Sequence, residues 1–182
     1  MKFIETKISN VIIIEPTVFD DARGYFLESY NKKKFEEVVG KTFFVQDNES
    51  KSSKGVLRGL HFQKPPFQQA KLVRCIDGEV LDVAVDIRKH SKTYGMHVAV
   101  LLSGENKRQL FVPRGFAHGF LVLSETAIFS YKVDNIYAPD HDAGIIWNDP
   151  DLNIDWGLNE NNLIISEKDR KLLRLDSITS PF

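Results

Sequence analysis

A chain of 182 residues has room for one domain with a substantial core but not for two of ordinary size, so residues 1–182 are read as a single domain. Its 24 basic and 25 acidic side chains leave a formal net charge of −1, which argues against nucleic acid or an anionic membrane as partner, since either favours a basic face. No apolar run approaches the ~20 residues of a membrane helix, and the single cysteine, Cys75, excludes an internal disulfide and reads as a packed thiol.

From the N-terminus, MKFIETKISN holds no continuous apolar core of signal-peptide length, so no export signal is read and a cytoplasmic protein is expected. Strands are expected over Val11–Ile14 and Tyr25–Ser29. Lys32–Val39, with Asn31 as a cap and Gly40 just past its end, reads as two turns of helix. Beyond the strand-like RGLHFQ (Arg58–Gln63), further strands are expected over Leu72–Ile76 and Val80–Arg88. In the latter, VLDVAVDIR, Val83, Val85 and Ile87 fall on one face and Asp82, Asp86 and Arg88 on the other. His97–Leu102, Gln109–Val112, Gly119–Leu123 and Ala127–Val133 follow. Turn chemistry at Asp77-Gly78, Ser103–Asn106 and Pro113–Gly115 separates several of these segments. Near the C-terminus, Ser166 before Glu167-Lys168-Asp169 reads as the capped first turn of a short helix. Short strands punctuated this regularly predict an all-β barrel or sandwich with a few short peripheral helices.

The histidines are His61, His90, His97, His118 and His141. Pro113–His118, PRGFAH, resembles the second half of the metal-binding pattern of cupin barrels. The first half needs two histidines one residue apart, whereas His61-Phe62-Gln63 offers glutamine, a poor ligand for a transition metal. A cupin-like barrel (jelly roll) without a metal is therefore expected. His118 also has a plain structural reading, as a hydrogen-bonded imidazole at a strand entrance. Without a metal, His61 is judged as an acid or base, because imidazole titrates near ~6.5. Lys71 beside an oxygen that becomes negative would stabilise an enolate. A base next to such a group suggests proton abstraction from carbon adjacent to a carbonyl. The alternative is that Arg58, Lys71 and Arg74 form the solvated edge of a sheet. Spacing leaves both readings open.

Eight segments together resemble the dTDP-4-dehydrorhamnose 3,5-epimerase family. They are DARGYFLESY (Asp21–Tyr30), FVQDNES (Phe44–Ser50), GVLRGLHFQ (Gly55–Gln63), QAKLVR (Gln69–Arg74), GFAHGFLVLSE (Gly115–Glu125), YKVDNIYAPDHDAGI (Tyr131–Ile145), WNDPDLNIDW (Trp147–Trp156) and ISEKD (Ile165–Asp169). The resemblance implies a cofactor-independent isomerase acting on a dTDP-4-keto-6-deoxyhexose. His61 would be the base, oriented by Asp169; Lys71 would stabilise the enolate and Tyr131 would return the proton. Arg23 and Arg58 match the family's diphosphate ligands, and Tyr137 the aromatic that stacks on thymine. Glu28, Gln46, Asp47, Asn48, His118, Asp142 and Lys168 match other substrate-contacting positions. By composition alone the Gln46-Asp47-Asn48 run would pass for a polar turn. Asp142 stands where the family commonly has Glu, and Gly157 where Pro is usual. The family also implies a homodimer in which Arg23 and Glu28 serve the neighbouring subunit. Rival readings are an epimerase acting at C3 alone, a ketoisomerase, a metal-dependent oxygenase of the same fold, and a non-catalytic sugar-nucleotide-binding module.

Overall fold

The computed structural model describes residues 1–182. The chain begins with strands β1 (Lys2–Glu5), β2 (Ile12–Glu15), β3 (Val18–Asp21) and β4 (Gly24–Leu27), then helix α1 (Lys32–Val39). The central strands are β5 (Gln46–Ser53), β6 (Val56–Gln63), β7 (Lys71–Asp77), β8 (Glu79–Asp86), β9 (His97–Ser103), β10 (Gln109–Val112), β11 (Phe116–Val122) and β12 (Thr126–Val133). Two short strands, β13 (Asp142–Gly144) and β14 (Ile164–Ile165), and helix α2 (Glu167–Arg170) complete it.

Period-two alternation sets the sheet faces. In β9, Val98, Val100 and Leu102 are buried while Ala99 and Leu101 are exposed, as a strand with one wet face requires. The strands form one sheet in the order β1-β2-β10-β7-β12-β5 and a second in the order β13-β6-β11-β8-β9, with β14 pairing β6 in parallel. Sixteen buried residues drawn from both sheets, among them Val73, Leu110 and Phe129 facing Ala84, Phe116 and Phe120, fill the space between. The result is the expected all-β, cupin-like jelly roll with its helices at the periphery. A second apolar layer lies where Trp147, Trp156, Leu163 and Leu175 of the C-terminal segment cover Val83, Val85 and Leu121. Phe35 of α1 covers Ile12, Leu72 and Phe111 on the opposite side. The α1 start is as expected: Asn31 accepts from the Lys34 N–H.

Two expectations are corrected. The Gln46-Asp47-Asn48 run is no turn; it opens β5, which pairs along its whole length with β12. Its sequence, QDNESKSS, lacks apolar residues because its inward side chains line a cavity instead of filling a core. β8 alternates as expected, yet both its faces are covered, and Asp82 and Asp86 are fully buried inside the barrel. The ribbon β3–β4 pairs with neither large sheet and exposes Phe19, Tyr25 and Phe26.

Candidate active site

β6 and β11 approach closely because glycine faces glycine across them. A Cβ on Gly119 would meet the Arg58 carbonyl oxygen at 2.7 Å and the Gly59 Cα at 3.1 Å, so any larger residue would push the strands apart. The pairing shifts register beside Gly119, and His61 of β6 stands directly across from His118 of β11. His61 Nε2 lies 2.7 Å from Asp169 Oδ1. Asp169 sits in the first turn of α2, where its N–H donates to the Ser166 cap. Its other oxygen accepts from the Gly59 N–H at 3.3 Å. Burial alone would raise the Asp169 carboxyl, but the His61 hydrogen bond and charge and the Gly59 N–H hold it below the ordinary carboxylate value.

The facing wall belongs to the other sheet. β7 contributes Lys71 and β12 contributes Tyr131, with the Lys71 ammonium 6.0 Å from the phenol ring centroid. Burial pushes the Lys71 amine down to about 8, against the opposing pull of Asp82 and Asp142. Burial raises the Tyr131 phenol, so it rests protonated; the Arg58 charge works the other way, and Asp142 and Tyr137 add to the rise. Arg58 is oriented by Ser52, whose Oγ accepts from its Nε and Nη2 at 3.3 and 3.1 Å. Behind these groups, His118 Nε2 lies 3.0 and 2.9 Å from the two oxygens of Asp82, and Phe120 stacks on Phe129 at 4.1 Å.

Two adjoining cavities share His61, Lys71 and Tyr131. One, of about 490 Å³, takes in Arg58, His118, Lys168 and Asp169. The other, of about 330 Å³, takes in Gln46, Asn48, Tyr137 and Asp142. Spaces of this size suit small-molecule ligands. At the junction, the Tyr137 hydroxyl donates to Asp142 Oδ2 at 3.2 Å, and the Lys168 ammonium pairs with the same oxygen, which raises the Lys168 amine.

Most of the expected site residues thus converge on one space. Three stand apart in this chain. Asp47 points to the opposite face of β5 from Gln46 and Asn48 and pairs with Lys132 at 2.9 Å. Arg23 lies on the exposed ribbon β3–β4 and pairs with Asp21. Glu28 pairs with Lys34 and accepts from Asn31. Gln63, noted from sequence as a poor metal ligand, is committed elsewhere. Its Nε2 donates to the Phe67 and Ile136 carbonyls at 2.6 and 3.1 Å, and its Oε1 accepts from the Ala138 N–H at 2.7 Å. It therefore fixes the loop that carries Tyr137. Sequence reasoning missed that role and that of Asp82. The available signal for Asp82 was a carboxylate set among valines, which demands a buried partner.

Chemically, an imidazole oriented by a carboxylate faces a protonated phenol across a space that an ammonium also enters. Such a site can take a proton from one side of a bound molecule and return one to the other.

Known proteins agree. A family model described as dTDP-4-dehydrorhamnose 3,5-epimerase matches residues 5–177. The dTDP-4-dehydrorhamnose 3,5-epimerase of Shigella flexneri is 58% identical over 170 residues, 93% of each chain. The crystal structure of the Elizabethkingia anophelis NUHP1 enzyme of that name superposes with a TM-score of 0.93 at 56% identity, covering 97% of both chains. A dTDP-6-deoxy-D-glucose-3,5-epimerase from Legionella pneumophila Philadelphia 1, in complex with dTDP-4-keto-L-rhamnose, gives a TM-score of 0.94 at 50% identity, covering 98% of this chain and 94% of that one.

Proposed function

The chain belongs to the dTDP-4-dehydrorhamnose 3,5-epimerase family, and from that membership we propose how its own residues carry the reaction. The enzyme epimerises C3 and C5 of dTDP-4-dehydro-6-deoxy-D-glucose to give dTDP-4-dehydro-L-rhamnose, a step of dTDP-L-rhamnose biosynthesis. Both carbons flank the C4 ketone, so each C–H can be broken to leave an enolate and re-formed on the opposite face. One proton leaves and one returns at each centre, and the reaction balances without an oxidant or reductant.

The observation that carries the assignment of roles is the placement of base and acid on facing sheets. With the His61 Nε2–H committed to Asp169, the lone pair at Nδ1 is the proton acceptor. Lys71 neutralises the oxygen of the enolate. Tyr131, on the other wall, returns the proton, and the Arg58 charge eases formation of its phenolate. Arg58, with Arg23 of a neighbouring subunit, binds the diphosphate, Lys168 contacts the substrate from the larger cavity, Tyr137 stacks on the base, and Gln46, Asn48 and Asp142 complete the smaller cavity.

The protein acts as one domain and as a homodimer. Support for the dimer is the ribbon β3–β4, which pairs with neither large sheet and leaves Phe19, Tyr25 and Phe26 exposed, with only the Lys107 ammonium resting on the Tyr25 ring at 3.9 Å. A neighbouring subunit would bury them and receive Arg23 and Glu28 at its own site.

Incubation with dTDP-4-keto-6-deoxyglucose in deuterated water, followed by NMR and mass spectrometry, tests the reading. Deuterium is expected at both C3 and C5 with wild-type protein and at neither with His61→Asn, which still binds the nucleotide. Label at C3 alone would narrow the enzyme to a monoepimerase, and full exchange by His61→Asn would remove His61 from its role.

A further inference from the structure

We propose that Asp82 is a positioning residue that fixes His118 as its Nε2–H tautomer, so that Nδ1 meets the substrate as the acceptor for a ring hydroxyl. The inference rests on the epimerase reading above, since it concerns how the same sugar is held.

The geometry begins with a carboxylate that has a single donor. Asp82 is fully buried, and its one hydrogen-bond partner is His118 Nε2, placed 3.0 and 2.9 Å from its two oxygens. A buried carboxylate needs a proton on the atom that faces it, so Nε2 carries the hydrogen. His118 Nδ1 then bears the lone pair. It makes no hydrogen bond within the protein, and it is not sealed away: the buried polar atom without a partner is Gln68 Oε1. His118 lines the larger cavity, and that is the space into which its free nitrogen opens.

The cavity is short of acceptors. Lys71, Arg58 and Lys168 only donate. Asp169 is committed to His61, and Asp142 to Lys168 and Tyr137. His61 Nδ1 is reserved for the carbon-bound proton. A sugar brings hydroxyl hydrogens as well as oxygens; beside the Ser50 hydroxyl, which lies on the opposite sheet, the acceptor left to receive one on the wall of His61 is His118 Nδ1.

Position on the wall says which job this nitrogen can do. His61 and His118 are cross-strand partners, so their rings rise from the same face of one sheet. His118 stands on the base's side of the substrate, not on the side of Tyr131. It is therefore unsuited to returning a proton to the inverted face and suited to fixing the ring by a hydroxyl. Asp82 also lies close enough to Lys71 to favour the charged form of that amine, so the same carboxylate faces a working group on each wall.

Nitrogen-15 NMR of ring-labelled wild-type protein, without substrate at pH 7.5, reads the tautomer directly. Loss of one resonance set in His118→Gln gives the assignment. A pyridine-type Nδ1 and a pyrrole-type Nε2 are expected, and a protonated Nδ1 would overturn the proposal whatever any variant does. Asp82→Asn can turn its amide N–H toward Nε2 and reverse the tautomer. Its kcat/KM on the parent sugar nucleotide should fall roughly 10- to 100-fold. Wild type should discriminate against the 2-deoxy or the 3-deoxy analogue by a similar factor, and Asp82→Asn should discriminate against neither. Equal handling of parent and both analogues by wild type, or full discrimination by Asp82→Asn, would overturn the hydroxyl role. Failure of wild type to epimerise the parent would instead overturn the assigned reaction, because the ring measurement is made without substrate.

Discussion

Asp82 and Asp86 sit four residues apart on β8, point into the same barrel and are both fully buried, yet they are built differently. Asp86 accepts from the Arg88 N–H, Nε and Nη2 at 3.0, 2.9 and 2.7 Å, and from Ser91 and Thr93 at 2.6 Å each. Burial would raise its carboxyl, but these donors outweigh burial and hold it at about 2. Asp82 has His118 alone. A saturated carboxylate closes the β8–β9 connection and presents nothing outward; a carboxylate with one donor passes an orientation on to the imidazole beside it. Asp169 sides with Asp82: the Gly59 N–H holds one of its oxygens, and the other is spent on orienting His61. Buried charge thus serves the scaffold where its donors are local and complete, and serves the chemistry where its donor is itself a working group.

The largest test of that distinction is Asp169→Asn. Losing the carboxylate that fixes His61 should lower kcat about 10³-fold, measured as solvent deuterium entering the sugar, while the melting temperature moves by only a few degrees. A fall in stability with activity per folded molecule preserved would place Asp169 with Asp86 and break the comparison. Lys71→Met comes next, with a loss of about 10²-fold in kcat. The Lys71 amine is depressed to about 8, so wild-type activity should decline as pH rises through that value and the ammonium is lost. Stability should move the other way over that interval, because the folded state gives up this proton before the unfolded chain does. Lys71→Met should lack that alkaline limb and melt higher than wild type, as expected where a buried charge is kept for function at a cost in stability. Unchanged kcat would remove Lys71 from enolate stabilisation.

The sequence was most legible where one face of a strand or helix is apolar. Gln109–Val112 and Lys32–Val39 have the bounds their patterns predict, because apolar periodicity and caps are local signals. β5 was illegible for the opposite reason. QDNESKSS offers no buried apolar face, and it is a strand because β12 pairs with it over eight residues, which no local window contains. β1 and β3 were missed as well, since each is a four-residue strand with little buried surface, whereas β4 was expected and only its bounds differ, Gly24–Leu27 in place of Tyr25–Ser29. The site was half legible. His61 and Lys71 could be suspected from chemistry, but their convergence with Tyr131 and Asp169 depends on two sheets closing over one cavity. Residue spacing holds no record of that; the family resemblance did. Asp82 lay in plain view as the polar position of an alternating strand. What the pattern omits is that the second face of β8 turns inward, so its aspartates had to find partners inside the barrel.

The smallest expected effect falls on the scaffold side. Asp86→Asn keeps neutral hydrogen bonds to Ser91 and Thr93 but loses the charge that holds Arg88, so it should cost about 2 kcal/mol of stability. That corresponds to a fall of roughly 4–8 °C in melting temperature for a chain of this size, with kcat per folded molecule unchanged. Its pH dependence separates a lost charge from damaged packing. The folded Asp86 carboxyl, at about 2, lies below the ordinary 3.8. Its contribution is therefore fully present above pH ~4 and lost as pH falls through about 2. In denaturant titrations, the gap between wild type and Asp86→Asn should be widest near neutrality and narrow between pH 4 and 2. A gap independent of pH would mean that the substitution damaged the β8–β9 turn by shape alone. A drop in kcat alongside the drop in stability would mean that Asp86, like Asp82, is coupled to the cavity, and saturation by local donors would then fail as the mark of a scaffold carboxylate.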